Sequence, residues 1–133
     1  MDTYHLFAIK KEIYKIYKNN SYSLYKVLYN LYKLNKADIN YGITLYNQLC
    51  YPINTKKLKK YFELLDNIRK GNNKYLITYK NNKSLIIIKP SRIIYKTTNI
   101  NDYSAYIFDN YYKYLFACNF EIKEFYWVNE KIK

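Results

Sequence analysis

One histidine, two cysteines and ten carboxylates are the metal-ligating and ordinary acid–base groups that this 133-residue chain has to offer. His5 stands two residues before Phe7 in a stretch with strand character. It becomes a general base only if the fold brings it beside Cys118 or Cys50, and otherwise it is a packed, hydrogen-bonded ring. Three soft ligands at those spacings do not make a tetrahedral metal site. The acids are scattered, and Glu121 with Glu124 flanks a turn, where solvated charge is the ordinary role; no carboxylate pair has a context for acid–base work. Two glycines, Gly42 and Gly71, cannot build a phosphate-cradling loop or a dinucleotide fingerprint. The residues thus predict a binding protein rather than an enzyme, with no catalytic residue, no metal and no cofactor.

What remains for function is charge and tyrosine. The chain carries a formal charge of +13 and 20 Tyr, with 21 Lys but only Arg69 and Arg92 as arginines. Lys, Asn, Tyr and Ile have A/T-rich codons, so an AT-rich genome accounts for much of this bias. Whatever its origin, the positive field raises encounter rates with anionic partners. Lys56, Lys57, Lys59 and Lys60 are the one local concentration of charge. They form either a solvated helix face or an anion-binding patch. Alternating Lys and Tyr can hold phosphates and stack bases on single strands, and tyrosine is equally suited to protein interfaces. Two arginines are few for base readout, so nucleic acid is a secondary expectation.

The elements that position these groups follow from periodicity. Residues 3–9 read as a strand and KKEIYKIYK as a helix, with Asn19-Asn20-Ser21 as a break and Ser21 as a cap for the next helix. In that helix, 22–34, Leu24, Leu28 and Leu31, extended by Val27 and Leu34, make a core line. Tyr25, Tyr29 and Tyr32 make a shoulder, and Lys26, Asn30 and Lys33 a solvent line. The link NKADIN precedes a helix over 42–50. Pro52 interrupts the chain, and Asn54 or Thr55 caps a helix to about Ile68, with Leu58, Phe62 and Leu65 inward and Gly71 as its stop. Residues 74–80 and 84–89, joined at Asn81-Asn82, alternate as a hairpin. A strand at 92–97 follows, then a helix from Tyr103 to about Tyr114 with Tyr103, Tyr106, Ile107 and Tyr114 inward. Residues 115–120 and 124–128 form a second hairpin, with Phe116, Cys118 and Phe120 on one face. The expected class is α+β: a single compact domain over 1–133, with an antiparallel-dominated sheet of about five strands packed with four to five helices. No apolar run reaches membrane-spanning length, LIII at 85–88 being strand-sized. With no signal peptide, a soluble, cytoplasmic protein with reduced thiols is expected.

The two ends of the chain together resemble the sporulation inhibitor of replication (SirA-like) family of endospore-forming Firmicutes. Tyr4, Ile9, Lys10, Glu12 and Tyr17 match that family's tyrosine, Ile-Lys, Glu and tyrosine in a strand-then-helix opening. LFACNFEIKEFYWVNE (115–130) is similar to its hydrophobic-Ala-x-Asp/Asn-Phe, short turn and aromatic-x-Trp-hydrophobic-Asn ending. Tyr51-Pro52-Ile53 fits its Pro-Ile break before a helix. The resemblance implies a non-enzymatic inhibitor that binds the N-terminal domain of the replication initiator DnaA during commitment to sporulation. It implies that an aromatic and a tyrosine four residues apart on the first helix make the contact. Those positions are Ile13 and Tyr17 here, flanked by Tyr14, with the Tyr51–Ile53 loop as a second element. Ile13 stands where the family has an aromatic, Tyr126 where it has Gly, and the charge exceeds the family's usual value.

Two orientations of the first helix compete. The stripe Ile9, Ile13, Ile16 and Tyr17 has the spacing of a core face, which would bury Ile13. Docking instead needs Ile16 as the inward anchor, with Ile13, Tyr17 and Tyr14 reaching the surface.

Overall fold

Strand β1 (Asp2–Ala8) lies in the interior of the sheet: from Tyr4 to Ala8 every side chain is buried. A strand covered on both faces needs apolar or aromatic residues at consecutive positions, and YHLFA supplies them. Its neighbours are β5 (Ile93–Thr97) on one side and β6 (Leu115–Asn119) on the other, both antiparallel. With β2 (Ile68–Lys70), β3 (Lys74–Tyr79), β4 (Asn82–Ile88) and β7 (Glu124–Trp127) they form one seven-stranded sheet in the order β2-β3-β4-β5-β1-β6-β7. Every pairing in it is antiparallel. The fold is α+β, as the sequence predicts. This computed structural model describes residues 2–64, 68–70, 73–79, 82–98, 108 and 111–131.

Helices cover the sheet unequally. On one face Tyr4, Leu6, Ile86, Ile88, Tyr95 and Ala117 meet Leu58 and Phe62 of helix α4 (Thr55–Glu63) and the buried Phe108. On the other, Phe7, Phe116, Cys118 and Trp127 meet Leu24, Tyr25 and Leu28 of α2 (Ser21–Tyr32) and Leu49 of α3 (Ile39–Leu49). The core and solvent lines expected over 22–34 are realised, although α2 ends at Tyr32. Leu24 and Leu28 are buried, Leu31, Val27 and Leu34 half-buried, and Lys26, Asn30 and Lys33 exposed. The tyrosine shoulder instead runs from buried Tyr25 through half-buried Tyr29 to exposed Tyr32. Tyr25 goes deeper than the shoulder assigned to it and stacks at 5.1 Å from Phe125.

Several boundaries differ from expectation. Ser21 is the first residue of α2 rather than its cap, and its Oγ accepts a hydrogen bond from Trp127 Nε1 at 2.9 Å. Asn54 does cap α4, accepting from the Lys57 amide at 3.1 Å, but that helix ends at Glu63 and Ile68 begins a strand. The link NKADIN is itself helical, a 3₁₀ turn at Lys36–Asp38 running into α3. Gly42 therefore lies inside a helix, a position that ordinarily disfavours glycine. Here a Cβ would stand 2.6 Å from Leu34 Cδ1, so a larger residue would have to displace the end of that leucine side chain. The pairing of Tyr79 with Asn82 moves the hairpin turn back by one residue. Within the expected helix over Tyr103–Tyr114, only Phe108 and 111–114 are described, and 111–114 are turn and irregular backbone; Tyr103, Tyr106 and Ile107 lie outside the described residues, as do Leu65, Gly71 and Asn81. A short helix α5 (Val128–Lys131) follows β7. Among the described residues no helix is long and apolar enough to cross a membrane.

Candidate functional site

The strand-to-helix opening is fixed by backbone hydrogen bonds rather than by a cap. After β1, the Ile9 amide donates to Tyr114 O at 2.9 Å, Lys10 to Leu49 O at 3.0 Å, and Tyr51 to Ala8 O at 2.8 Å. Ile9 also bridges Cys50. Helix α1 (Lys11–Tyr17) therefore starts against the exit of α3, and two segments forty residues apart become one surface. Lys10 Nζ lies 5.7 Å from the Tyr51 ring at this junction.

A seven-residue helix does not stand alone in water, and aromatic packing holds this one. Tyr14 stacks on Tyr114 at 4.1 Å and meets Trp127 edge-on at 4.8 Å. No residue of α1 is fully buried. Ile13, Tyr14 and Tyr17 are half-buried against the second core, while Ile16 is 67% exposed. This corrects both orientations. Ile16 is not the inward anchor; Tyr14 is turned inward by its ring contacts while remaining half-buried, as Ile13 and Tyr17 are. Ile13 and Tyr17 keep part of their surface in water, so neither the core stripe nor the fully outward pair is realised.

In the second element, Tyr51 is 48% exposed and Pro52 is exposed, but Ile53 is buried, its amide donating to Pro90 O at 2.8 Å. Ile53 packs with Leu58 and Phe62 and is removed from the surface set. A cleft of about 250 Å³ lies among Ala8, Ile9, Lys11, Tyr51 and residues 111–114. The lysine cluster reaches its border. Lys56, Lys57 and Lys60 are exposed and Lys59 half-buried, and Lys57 Nζ lies 5.2 Å from the Tyr111 ring. Lys113 Nζ stands 5.4 Å from Tyr114. The Asn54 amide donates to the Tyr112 hydroxyl at 2.7 Å, joining the start of α4 to this segment. The junction is thus basic and rich in tyrosine, suited to an acidic or π-rich partner.

The register also answers the question of His5 and Cys118, which pair directly across β1 and β6. Their environment opposes a thiolate–imidazolium couple. Burial pushes the Cys118 thiol well above its usual value. Burial, then Arg92, Lys89 and Lys96, pulls His5 down to about 4. Both groups are held neutral at pH 7, the reverse of an activated nucleophile. Cys50, raised to about 12 by burial, behaves alike.

A constellation the sequence did not single out lies next to this pair. Arg92 Nε donates to His5 Nδ1 at 2.9 Å, and Nη1 to Ser91 Oγ at 3.2 Å. The accepting Nδ1 puts the ring proton on Nε2. The Tyr46 hydroxyl donates to Ser91 O at 2.7 Å, fixing the same turn. The only sequence signal was that position 92 is one of just two arginines in a chain with 21 lysines. Among the described residues no cluster of His, Cys, Asp and Glu has the grouping to hold a metal ion. No protein-family model matches the chain, and no curated protein matches it.

Proposed function

We propose that this chain is a non-enzymatic inhibitor of replication initiation that docks the α1–Tyr51 junction on the N-terminal domain of DnaA in a sporulating cell. The observation that carries the proposal is the meeting of the two segments named by the family resemblance, which join at Ile9 and Cys50 into one basic, tyrosine-rich surface. The matched chain ends also lie side by side in the sheet, as β1, β6 and β7. Exposed Ile16 and Tyr51, with the free edges of Ile13 and Tyr17, supply the apolar contact that a hot spot needs; the lysines around them supply steering. The test is calorimetric titration of the DnaA N-terminal domain encoded by the same genome. A one-to-one complex, weakened at least about tenfold by Tyr17→Ala and by Tyr51→Ala, supports the proposal. Absence of heat at both low and moderate salt overturns it.

The lysine–tyrosine contacts around the cleft favour one second reading, a nucleic-acid-binding protein of phage or plasmid type. It predicts that affinity for labelled single- or double-stranded DNA falls steeply as salt rises. A flat salt response removes it.

A further inference from the structure

A second cavity, about 460 Å³, opens between α2 and α3 on the side of the sheet away from α4. Its walls are apolar, with Phe7, Leu28, Leu31 and Leu34 inside and Ile43 at the rim. That volume lies within the range of roughly 300–1,000 Å³ typical of small-molecule sites. Its charged lining residues are Arg92 and Lys36, with no carboxylate among them.

Arg92 is the unusual member. A guanidinium has five N–H donors, and two of them are used, on His5 Nδ1 and Ser91 Oγ. Among the described residues no carboxylate pairs with it. The groups around it are the neutral imidazole of His5 and the phenols of Tyr32 and Tyr46; Lys89 and Lys96 act on His5. A half-buried cation without a counter-charge is unfavourable, and burial lowers the proton affinity of Arg92. Arginine suits a planar two-oxygen anion because its remaining N–H groups form a fork that matches a carboxylate. Its Nε bond to His5 fixes that fork in place beside the apolar walls.

We propose that this cavity binds a small amphipathic monocarboxylate. Its carboxylate accepts from the unused Nη N–H groups of Arg92, and its apolar body lies among Leu28, Leu31, Leu34 and Ile43. With His5 neutral, Arg92 is the cation set among the apolar walls, and Lys36 is the other charged lining residue, exposed to solvent. The apolar lining selects against a bare anion, and the arginine against a neutral alcohol of the same length.

Decanoate, kept below its micelle concentration, is the probe for calorimetry on the full chain, with decanol and acetate as controls. Expected are saturable one-to-one binding of decanoate, at least tenfold weaker binding of decanol, and none of acetate. Arg92→Met lowers decanoate affinity at least tenfold. Ile43→Glu acts on an exposed side chain, so it leaves folding intact while putting a competing carboxylate at the rim; it has the same effect. In NMR spectra the Arg92 Nε–H resonance moves with decanoate and stays in place with decanol. Equal affinity for decanoate and decanol, undiminished binding by either variant, or no saturable binding by the wild-type chain overturns the proposal.

Discussion

Acid destabilises this fold through its single histidine. His5 is 7% exposed, flanked by the rings of Tyr32 at 5.1 Å and Phe120 at 5.2 Å, with Arg92 donating to Nδ1. Its proton affinity falls from the ordinary 6.5 to about 4, chiefly through burial and then through Arg92, Lys89 and Lys96. In the folded chain the ring stays neutral while in the unfolded chain it takes up a proton, so the unfolded state binds more protons between those two values. Stability is therefore intact above pH 6.5 and is lost as the pH falls toward 4. At about 1.4 kcal/mol per pH unit, the gap is worth about 3 kcal/mol. Carboxylates titrate over the same range, so the comparison is made against His5→Asn, which keeps a neutral acceptor near the position of Nδ1. Urea unfolding at pH 7.5 and pH 4 should show the wild-type chain losing about 3 kcal/mol more than the variant. The histidine ring signal should not titrate between pH 8 and pH 5, and in Arg92→Met its midpoint should rise. Equal losses in wild type and His5→Asn, or a midpoint near 6.5 in the wild type, would refute the buried, arginine-bonded ring.

Three further outcomes follow from packing. Phe62 is fully buried, stacked 4.8 Å from Tyr75 and edge-on to Phe108, so Phe62→Ala costs about 3–5 kcal/mol in denaturant unfolding. The Tyr25 hydroxyl is buried without a hydrogen-bond partner among the described residues, and Tyr25→Phe removes that desolvation penalty and raises stability by about 1 kcal/mol. Cys50 and Cys118 are buried with raised thiol affinities for the proton, so an aromatic disulfide reagent counts no reactive thiol in the native chain and two after unfolding.

What could be read from the sequence was what repeats locally. The α2 stripes were legible because its residue types segregate at the helical period. The β3–β4 hairpin was legible because Tyr75 and Ile77 alternate with Leu76 and Thr78 against the same pattern in Ser84–Ile88. The orientation of α1 was not. Ile13, Ile16 and Tyr17 have the spacing of a core stripe, yet Ile16 falls outside because Tyr14, stacked on Tyr114 a hundred residues away, is the side chain turned inward. Strand β2 was hidden because the apolar spacing of α4 continues into Ile68. The start of α3 was hidden because its contact through Gly42 with Leu34 is tertiary. The His5–Arg92 bond spans 87 positions and depends on β1 lying beside β5, which no periodicity encodes. Ile53 looked like loop and is core, because its carbonyl partner on Pro90 draws the chain under α4.

The docking role is tested most directly by titrating the DnaA N-terminal domain from the same genome with the wild-type chain and with Ile16→Glu, alongside their melting temperatures. Ile16 is exposed on α1 and makes no core contact, so the variant melts as the wild type does. A one-to-one complex with the wild type, at least about tenfold weaker with Ile16→Glu at unchanged melting temperature, is the predicted result. No binding by the wild type, or equal binding by the variant, would contradict a docking surface built on α1.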